Sequence, residues 1–488
     1  MFNIKKLNEY REGNRFEVKS AQGGLPSSIW ETYSAFANTD GGIILLGATE
    51  NADKSLSIVG VPNAEVRIKE FWDTVNNRQK VSVNILTNKD VYTADIDGKT
   101  IIVIEVPRAK RQDRPIYLND NVFRATYRRN GEGDYRCSER AVRNLLRDAD
   151  DTEGDSAVVE KLSLDALDKE TIAGYRRVFE NRKQGHAWIK LEDDEFLEKI
   201  KAIKFGENGK AHPTKAGLLM FGYDYKITDV FQEYFLDYRE PFDPSGMRWR
   251  DRVTSGTGEW SGNLFDFYYR IASRLTADIR VPFALDKEGI RIDDTPMHKA
   301  MREALANALI HADYTERRGL VIEKRKWTIT ISNPGGLRMS KADAVKGGNS
   351  DPRNKALFGM FALVGIGERA GSGLYSIKKV WRDEKMPEPV LEEAFDPDRT
   401  ILTLVARIDS VDENVGVNVG VNVGVKLSKT ETNIFELIGN RQGMTVEKLS
   451  EFIGKDTRTI ERGLKKLRES GLIERVGSDK SGEWKVKG

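Results

Sequence analysis

The segment Met297–Tyr314 limits the fold more tightly than any other stretch of this sequence. Met301, Ala304, Leu305, Ala308 and Leu309 give it the apolar spacing of a helix made for burial. On the same helix Glu303, Asn307 and His311 recur at i, i+4 and i+8, which sets one polar row along one side. Polar groups withdrawn from water cost free energy unless something satisfies them, so the row implies a ligand or a metal beside it. The plainer alternative is an amphipathic helix with that row in solvent. The next residues favour the ligand. Leu320–Lys324 and Trp327–Ser332 read as paired strands that lead into Asn333-Pro334-Gly335-Gly336-Leu337. A long loop with Gly347-Gly348 then reaches Gly365-Ile366-Gly367-Glu368-Arg369-Ala370-Gly371-Ser372-Gly373-Leu374, and a helix runs on to about Trp381. Glycines ahead of a helix let backbone N–H groups approach phosphate, and the helix N-terminus favours its charge.

In this order the segments from Pro296 to Val380 resemble the GHKL ATP-binding fold of gyrase, MutL and histidine kinases. The resemblance implies ATP and Mg²⁺ as cofactors, with Glu303 orienting a water and Asn307 helping to hold the metal. His311 completes that polar row. Asn333, Gly335 and Gly336 fall at the turn that receives adenine, and Gly367, Gly371, Ser372 and Gly373 in the phosphate loop. The family usually has Asp where this chain has Asn333, whose amide oxygen can still accept the adenine amino group. ATP binding follows more directly than hydrolysis, so at most a weak ATPase is expected. No Gly-x-x-x-x-Gly-Lys-Ser/Thr occurs, which excludes a P-loop enzyme.

Composition closes off other classes. Lys and Arg total 78 against 76 Asp and Glu, so any electrostatic function lies in local patches. With 39% hydrophobic and 32% charged residues the chain reads as ordinary globular material of about three domains. Cys137 is the one cysteine, which excludes an internal disulfide and multi-cysteine zinc sites. The four histidines form no His-Glu-x-x-His, so metal chemistry has to rest on carboxylates. No apolar run approaches the ~20 residues of a membrane helix, and no signal peptide is evident, so a cytoplasmic protein without membrane contact is expected.

Residues 1–150 read as mixed α/β. Ile29–Ala37 has helical spacing, Gly41–Gly47 suits a buried strand, and Asp97-Gly98 between Val91–Ile96 and Ile101–Val106 signals a hairpin. Arg15–Lys19 reads as a strand with Glu17 and Lys19 opposite Phe16 and Val18. With Glu12, and with Ser34 to Glu50, this pattern resembles the Schlafen AlbA-type domain. Schlafen nucleases cut RNA with three carboxylates and a divalent metal. On that resemblance Glu12, Glu17 and Glu50 would ligate Mg²⁺ or Mn²⁺ and Lys19 would stabilise phosphate charge, giving a metal-dependent endoribonuclease that acts as a defence effector. The alternative is a domain that only binds nucleic acid. Seven bases from Arg108 to Arg129, among them Arg111, Arg124, Arg128 and Arg129, interleave with Tyr117, Phe123 and Tyr127 and suggest contacts to RNA or tRNA. A solvated hairpin is the duller reading.

Asp148–Asp155 reads as a linker, and 156–290 as a linking α/β region without a chemical motif. The nucleotide-type domain spans 291–410. The thrice-repeated Asn-Val-Gly-Val at 414–425, within 411–426, reads as a linker, with strand exchange between subunits as the alternative. Residues 427–488 suggest three helices, Thr430–Ile438, Thr445–Ile453 and Thr457–Ser470, followed by a hairpin. In the third, Ile460, Leu464 and Leu467 make a buried stripe, leaving Arg458, Thr459, Arg462, Lys465 and Lys466 outside. This order resembles the winged helix-turn-helix family and implies double-stranded DNA as partner, with Arg and Thr near base edges and Lys on phosphate. The small excess of bases favours a homo-oligomer that presents two copies. The fold class is therefore α/β (α+β) multidomain: a Schlafen AlbA-type domain, a GHKL-like α/β sandwich and a winged helix. The whole order resembles bacterial ATP-binding transcriptional regulators, in which nucleotide would bias subunit pairing and so the spacing of the DNA-reading tails.

Overall fold

The computed structural model describes residues 10–150, 154–206, 209–241, 249–279, 294–325, 328–348, 350–367, 373–405, 429–440, 445–453, 455–470, 473–476 and 483–486. The repeat at 414–425 and the turn at 477–482 lie outside the described residues. The protein is mixed α/β and multidomain, as its sequence predicts. It divides into two compact units, Met1–Glu240 with Arg250–Arg407, and Pro241–Trp249 with Ile408–Gly488.

The larger unit begins β1 (Phe16–Lys19), α1 (Ile29–Ala37), β2 (Gly42–Leu46), β3 (Ala48–Glu50), β4 (Leu56–Ile58), α2 (Ala64–Val75), β5 (Val91–Ile96), β6 (Lys99–Val106), β7 (Tyr127–Asn130), β8 (Gly133–Arg136) and α3 (Glu139–Ala149). Four strands form a sheet ordered β1-β2-β6-β5, with β1 parallel to β2 and the other pairs antiparallel. Alternation along the strands sorts two apolar faces. Ile44, Leu46, Ile102 and Ile104 cluster with Ile29, Phe36 and Phe71 of the helices. Phe16, Val18, Leu45, Ile101 and Val103 form a second cluster. At the β5–β6 turn Asp97 and Gly98 have φ of +49° and +73°, the doubly positive pair that an Asp-Gly hairpin supplies.

Next come α4 (Lys169–Arg182), α5 (Asp193–Lys199), β9 (Ile203–Phe205), β10 (Ala211–Pro213), α6 (Lys215–Phe221) and α7 (Asp224–Thr228). They lead into β11 (Leu236–Pro241), β12 (Trp249–Thr254), α8 (Leu264–Thr276), α9 (Pro296–His311), β13 (Leu320–Lys324) and β14 (Thr328–Pro334). The unit ends with α10 (Lys341–Lys346), α11 (Lys355–Leu363), α12 (Gly373–Asp383), β15 (Val390–Ala394) and β16 (Arg399–Val405). A six-stranded sheet runs β12-β11-β13-β14-β16-β15, and α9 packs on β14 between α8 and α12.

The expected division at 290 is not a division in the fold. β11 pairs in parallel with β13, Leu236 opposite Leu320 and Tyr238 opposite Ile322, so the stretch read as linking supplies strands to the later sheet. Both ends of the expected linker Asp148–Asp155 are likewise tied down. Asp148 pairs with Arg353, and the Asp155 carboxylate accepts the Ala356 and Leu357 N–H groups at 3.1 and 2.8 Å, capping α11.

The smaller unit holds α13 (Lys429–Asn440), α14 (Val446–Ile453), α15 (Thr457–Glu469) and the antiparallel pair β17 (Ile473–Val476) and β18 (Glu483–Val486). Ile434, Leu449, Ile460, Leu464, Leu467, Ile473 and Trp484 make its core, which realises the stripe expected on the third helix. Among the described residues no helix is long and apolar enough to cross a membrane.

Candidate functional site

The polar row of α9 borders a cavity. Ala304, Leu305, Ala308 and Leu309 are buried as their spacing demands, while Glu303, Asn307 and His311 are half-buried and line the space. Asn307 donates to Glu303 Oε1 at 3.2 Å. The start of α12 closes on the same pair: a Cβ on Gly373 would overlap the Asn307 amide and come within 2.9 Å of Glu303 Oε1, so a side chain there would displace both. Across the cavity, alternation on β14 turns Ile331 and Asn333 inward, opposite Leu402 and Thr400 of β16. Asn333 is 8% exposed and its Oδ1 has no hydrogen-bond partner. A buried acceptor left open beside a cavity is what a ligand N–H would satisfy.

The turn after Asn333 is held by its backbone. Gly335 adopts φ +93°, donates to Asp398 O at 2.8 Å and accepts from Thr400 Oγ1 at 2.9 Å. Gly336 O accepts from Arg353 Nη2 at 3.0 Å. Of the expected cofactor residues, Glu303, Asn307, His311, Asn333, Gly336 and Gly373 line one cavity. Gly335 lies in the adjoining turn, and Gly367, with φ +74°, stands against Ile310 near the end of α9. Gly371 and Ser372 lie outside the described residues.

Sequence reading missed Arg338, Asp351 and Arg353, which line the cavity too, and Asn354, which donates to Ile310 O and Ala312 O at 2.9 and 2.8 Å. The available signal was the polar run Ser350-Asp351-Pro352-Arg353-Asn354 directly ahead of the apolar α11. These cations act on His311. Burial first, then Arg353 and Arg338, push its pKa down from 6.5 to about 4, against the opposing pull of Asp351. The folded state thus favours the neutral ring, a stabilisation complete above pH 6.5 and lost as pH falls towards 4. Unfolding free energy measured from pH 7 to 4 should therefore fall less steeply in His311→Gln than in wild type; parallel curves would contradict this.

The N-terminal carboxylates also converge, though not as an open ligand set. The Glu12 N–H donates to Glu50 Oε1 at 3.4 Å, and Glu12 Oε1 accepts the Val18 N–H at 3.1 Å. Burial, then the charges of Glu17 and Glu50, raise the Glu12 pKa against the Val18 N–H and Arg129. Glu17 is already taken by Lys19 at 2.8 Å and Arg129 at 2.7 Å, and Glu50 by Lys54 at 3.1 Å. Among the described residues no three His, Cys, Asp or Glu side chains are placed to hold a metal ion. The expected metal set of Glu12, Glu17 and Glu50, with Lys19 free for phosphate, is thus not what these pairings present.

Comparison with known proteins agrees with the order of these parts. Residues 9–138 match the family model "Schlafen, AlbA_2". The chain carries a Schlafen AlbA_2 domain. Residues 327–403 match "Putative ATP-dependent DNA helicase recG C-terminal", and 143–237 match a domain of unknown function. No curated protein matches the chain. Among solved structures, the DIP2311 protein from Corynebacterium diphtheriae is 18% identical over 97% of this chain and 92% of its own, with a TM-score of 0.40. The N-terminal domain of a RecG-related protein from Nitrosomonas europaea is 29% identical over 27% of this chain and 89% of its own, with a TM-score of 0.22.

The AlbA_2 domain meets the cavity walls through its basic stretch. Arg108 pairs with Glu393 at 2.7 Å and donates to Leu337 O at 2.6 Å, and Arg111 pairs with Asp351 at 2.8 Å. Arg128 pairs with Asp398 at 2.5 Å and lies 4.9 Å over the Phe395 ring. Arg114 donates to Arg338 O at 3.2 Å, and burial drives its pKa down to about 9. Arg129 turns inward instead, to Glu17 and Asp134. The expectation that Arg111, Arg128 and Arg129 contact nucleic acid is therefore corrected: they are enclosed and matched to carboxylates, and Arg124 is the exposed member of that set. Tyr127 is buried with its hydroxyl on Glu31, so no row of stacking rings is presented either.

Proposed function

We propose that this protein is an ATP-binding, nucleic-acid-binding regulator in which nucleotide occupancy is felt by the AlbA_2 domain and by a DNA-reading tail. The observation that carries this reading is the single cavity joining the α9 polar row, Asn333 with its open Oδ1, and the Gly373 helix start. Asn333 Oδ1 would accept the adenine amino group. The N-terminus of α12 and its preceding glycines suit phosphate charge. Asn307 would hold Mg²⁺ together with phosphate oxygens, and the ion would neutralise charge on the triphosphate. Glu303, bonded to Asn307, would orient a water, and the catalysis proposed is weak ATP hydrolysis.

The arginine contacts above join the AlbA_2 domain to Leu337, Arg338 and Asp351 of the cavity wall, which supports a direct route between them. In the tail, the helix order and hairpin support a winged helix-turn-helix. Arg458, Arg462, Lys465 and Lys466 are exposed on α15, while Lys466 also pairs with Glu431 at 3.0 Å. Thr459 is spent on the cap, its hydroxyl on Asp456 Oδ2 at 2.7 Å, so base contact falls to the arginines. A homo-oligomer would set the spacing of two such tails.

ATP with Mg²⁺ should raise the melting temperature of the full chain by several degrees, about 2 kcal/mol or more when ligand exceeds Kd a hundredfold. Asn307→Ala should remove most of that shift at unchanged apo stability. A wild type that melts at one temperature with and without Mg·ATP would reject the reading.

A further inference from the structure

We propose that Arg338 reads the base of the bound nucleotide, donating from Nε to the ring nitrogen that neighbours the amino group accepted by Asn333. The inference rests on the nucleotide reading above and adds a residue to it. Among the described residues seven buried side-chain nitrogen or oxygen atoms have no hydrogen-bond partner. Asn333 Oδ1 and Arg338 Nε are the two that belong to residues lining the cavity. Both side chains are about nine-tenths buried, at 8% exposure. The remaining nitrogens of Arg338 are committed: Nη1 donates to Pro352 O at 3.0 Å and Nη2 to Asp148 O at 3.4 Å. Asp351 stands 3.7 Å from Nε, close enough for charge attraction and too far for a hydrogen bond.

One open acceptor and one open donor on residues lining the same cavity suit a ligand edge that offers a donor beside an acceptor. Adenine has this pattern on both sides of its amino group, with N1 on one side and N7 on the other. The neutral amide of Asn333 accepts less strongly than a carboxylate, and a charge-assisted bond from a guanidinium supplies the second contact. Because Nη2 rests on Asp148 O at the end of α3, the same residue ties the base to the helix that follows the AlbA_2 domain.

The test compares ATP, 1-deaza-ATP and 7-deaza-ATP, each with Mg²⁺, by calorimetry on the full-length wild type and on Arg338→Met. Wild type should bind one of the deaza analogues about tenfold more weakly than ATP, the value of one hydrogen bond to a charged group, and the analogue that loses affinity names the ring nitrogen. Arg338→Met should bind all three alike. Equal affinities on the wild type would overturn the inference without any variant. A discrimination that survives in Arg338→Met would overturn it too. Failure of ATP itself to bind would instead remove the nucleotide reading beneath it.

Discussion

Arg128→Ala should destabilise the larger unit by about 3–5 kcal/mol, whereas Arg124→Ala should change its stability by no more than about 0.5 kcal/mol. Both arginines sit in the same basic stretch, so the contrast isolates what burial does to a charge. The Arg128 side chain is 12% exposed and Asp398 is 8% exposed, with guanidinium and carboxylate joined at 2.5 and 3.1 Å. Removing the cation leaves Asp398 enclosed without its partner, which costs far more than the loss of a surface pair. Denaturant unfolding monitored by fluorescence measures the difference. Replacing both members together, Arg128→Met with Asp398→Leu, should recover much of the loss, because two apolar side chains leave no charge stranded. Equal small shifts for Arg128→Ala and Arg124→Ala would show that the pair contributes little.

The second large effect concerns the tail. Arg458→Ala combined with Arg462→Ala should weaken duplex DNA binding by about a hundredfold at fixed salt, at roughly 1–3 kcal/mol for each base-reading contact. Lys466→Ala should cost less, since that ammonium already shares itself with Glu431. Both arginines are exposed, so the fold should persist and circular dichroism should match wild type. Fluorescence anisotropy with a labelled duplex reads the affinity. Unchanged binding in the double variant would remove the DNA-reading assignment.

What the sequence disclosed was local. Periodicity placed α9 and its polar row correctly because the 3.6-residue repeat carries both the buried face and the row in one short window. The Asp97-Gly98 turn was equally plain, since two positive φ values in succession select those residue types. The α9, β14 and α12 sides of the cavity come from segments whose own patterns were visible. Arg111 and Arg128 were misread for the opposite reason. Their partners Asp351 and Asp398 lie 240 and 270 positions further along the chain, so composition displays the cations and hides the anions that neutralise them. Arg338 escaped notice because an unsatisfied nitrogen is a property of packing, and no spacing rule encodes it. The division at 290 failed because a parallel partner can be recruited across β12, α8 and α9, which leaves no trace in either strand's own residues.

That parallel partner bears on how the protein can be dissected. A fragment beginning at 291 would keep Leu320–Lys324 while discarding Leu236–Pro241, stripping one flank of an interior strand. Its unpaired amides and carbonyls would be an invitation to foreign strands, and the piece would clump in place of folding. Excision that respects the hydrogen-bonded ladder has to begin upstream of Leu236.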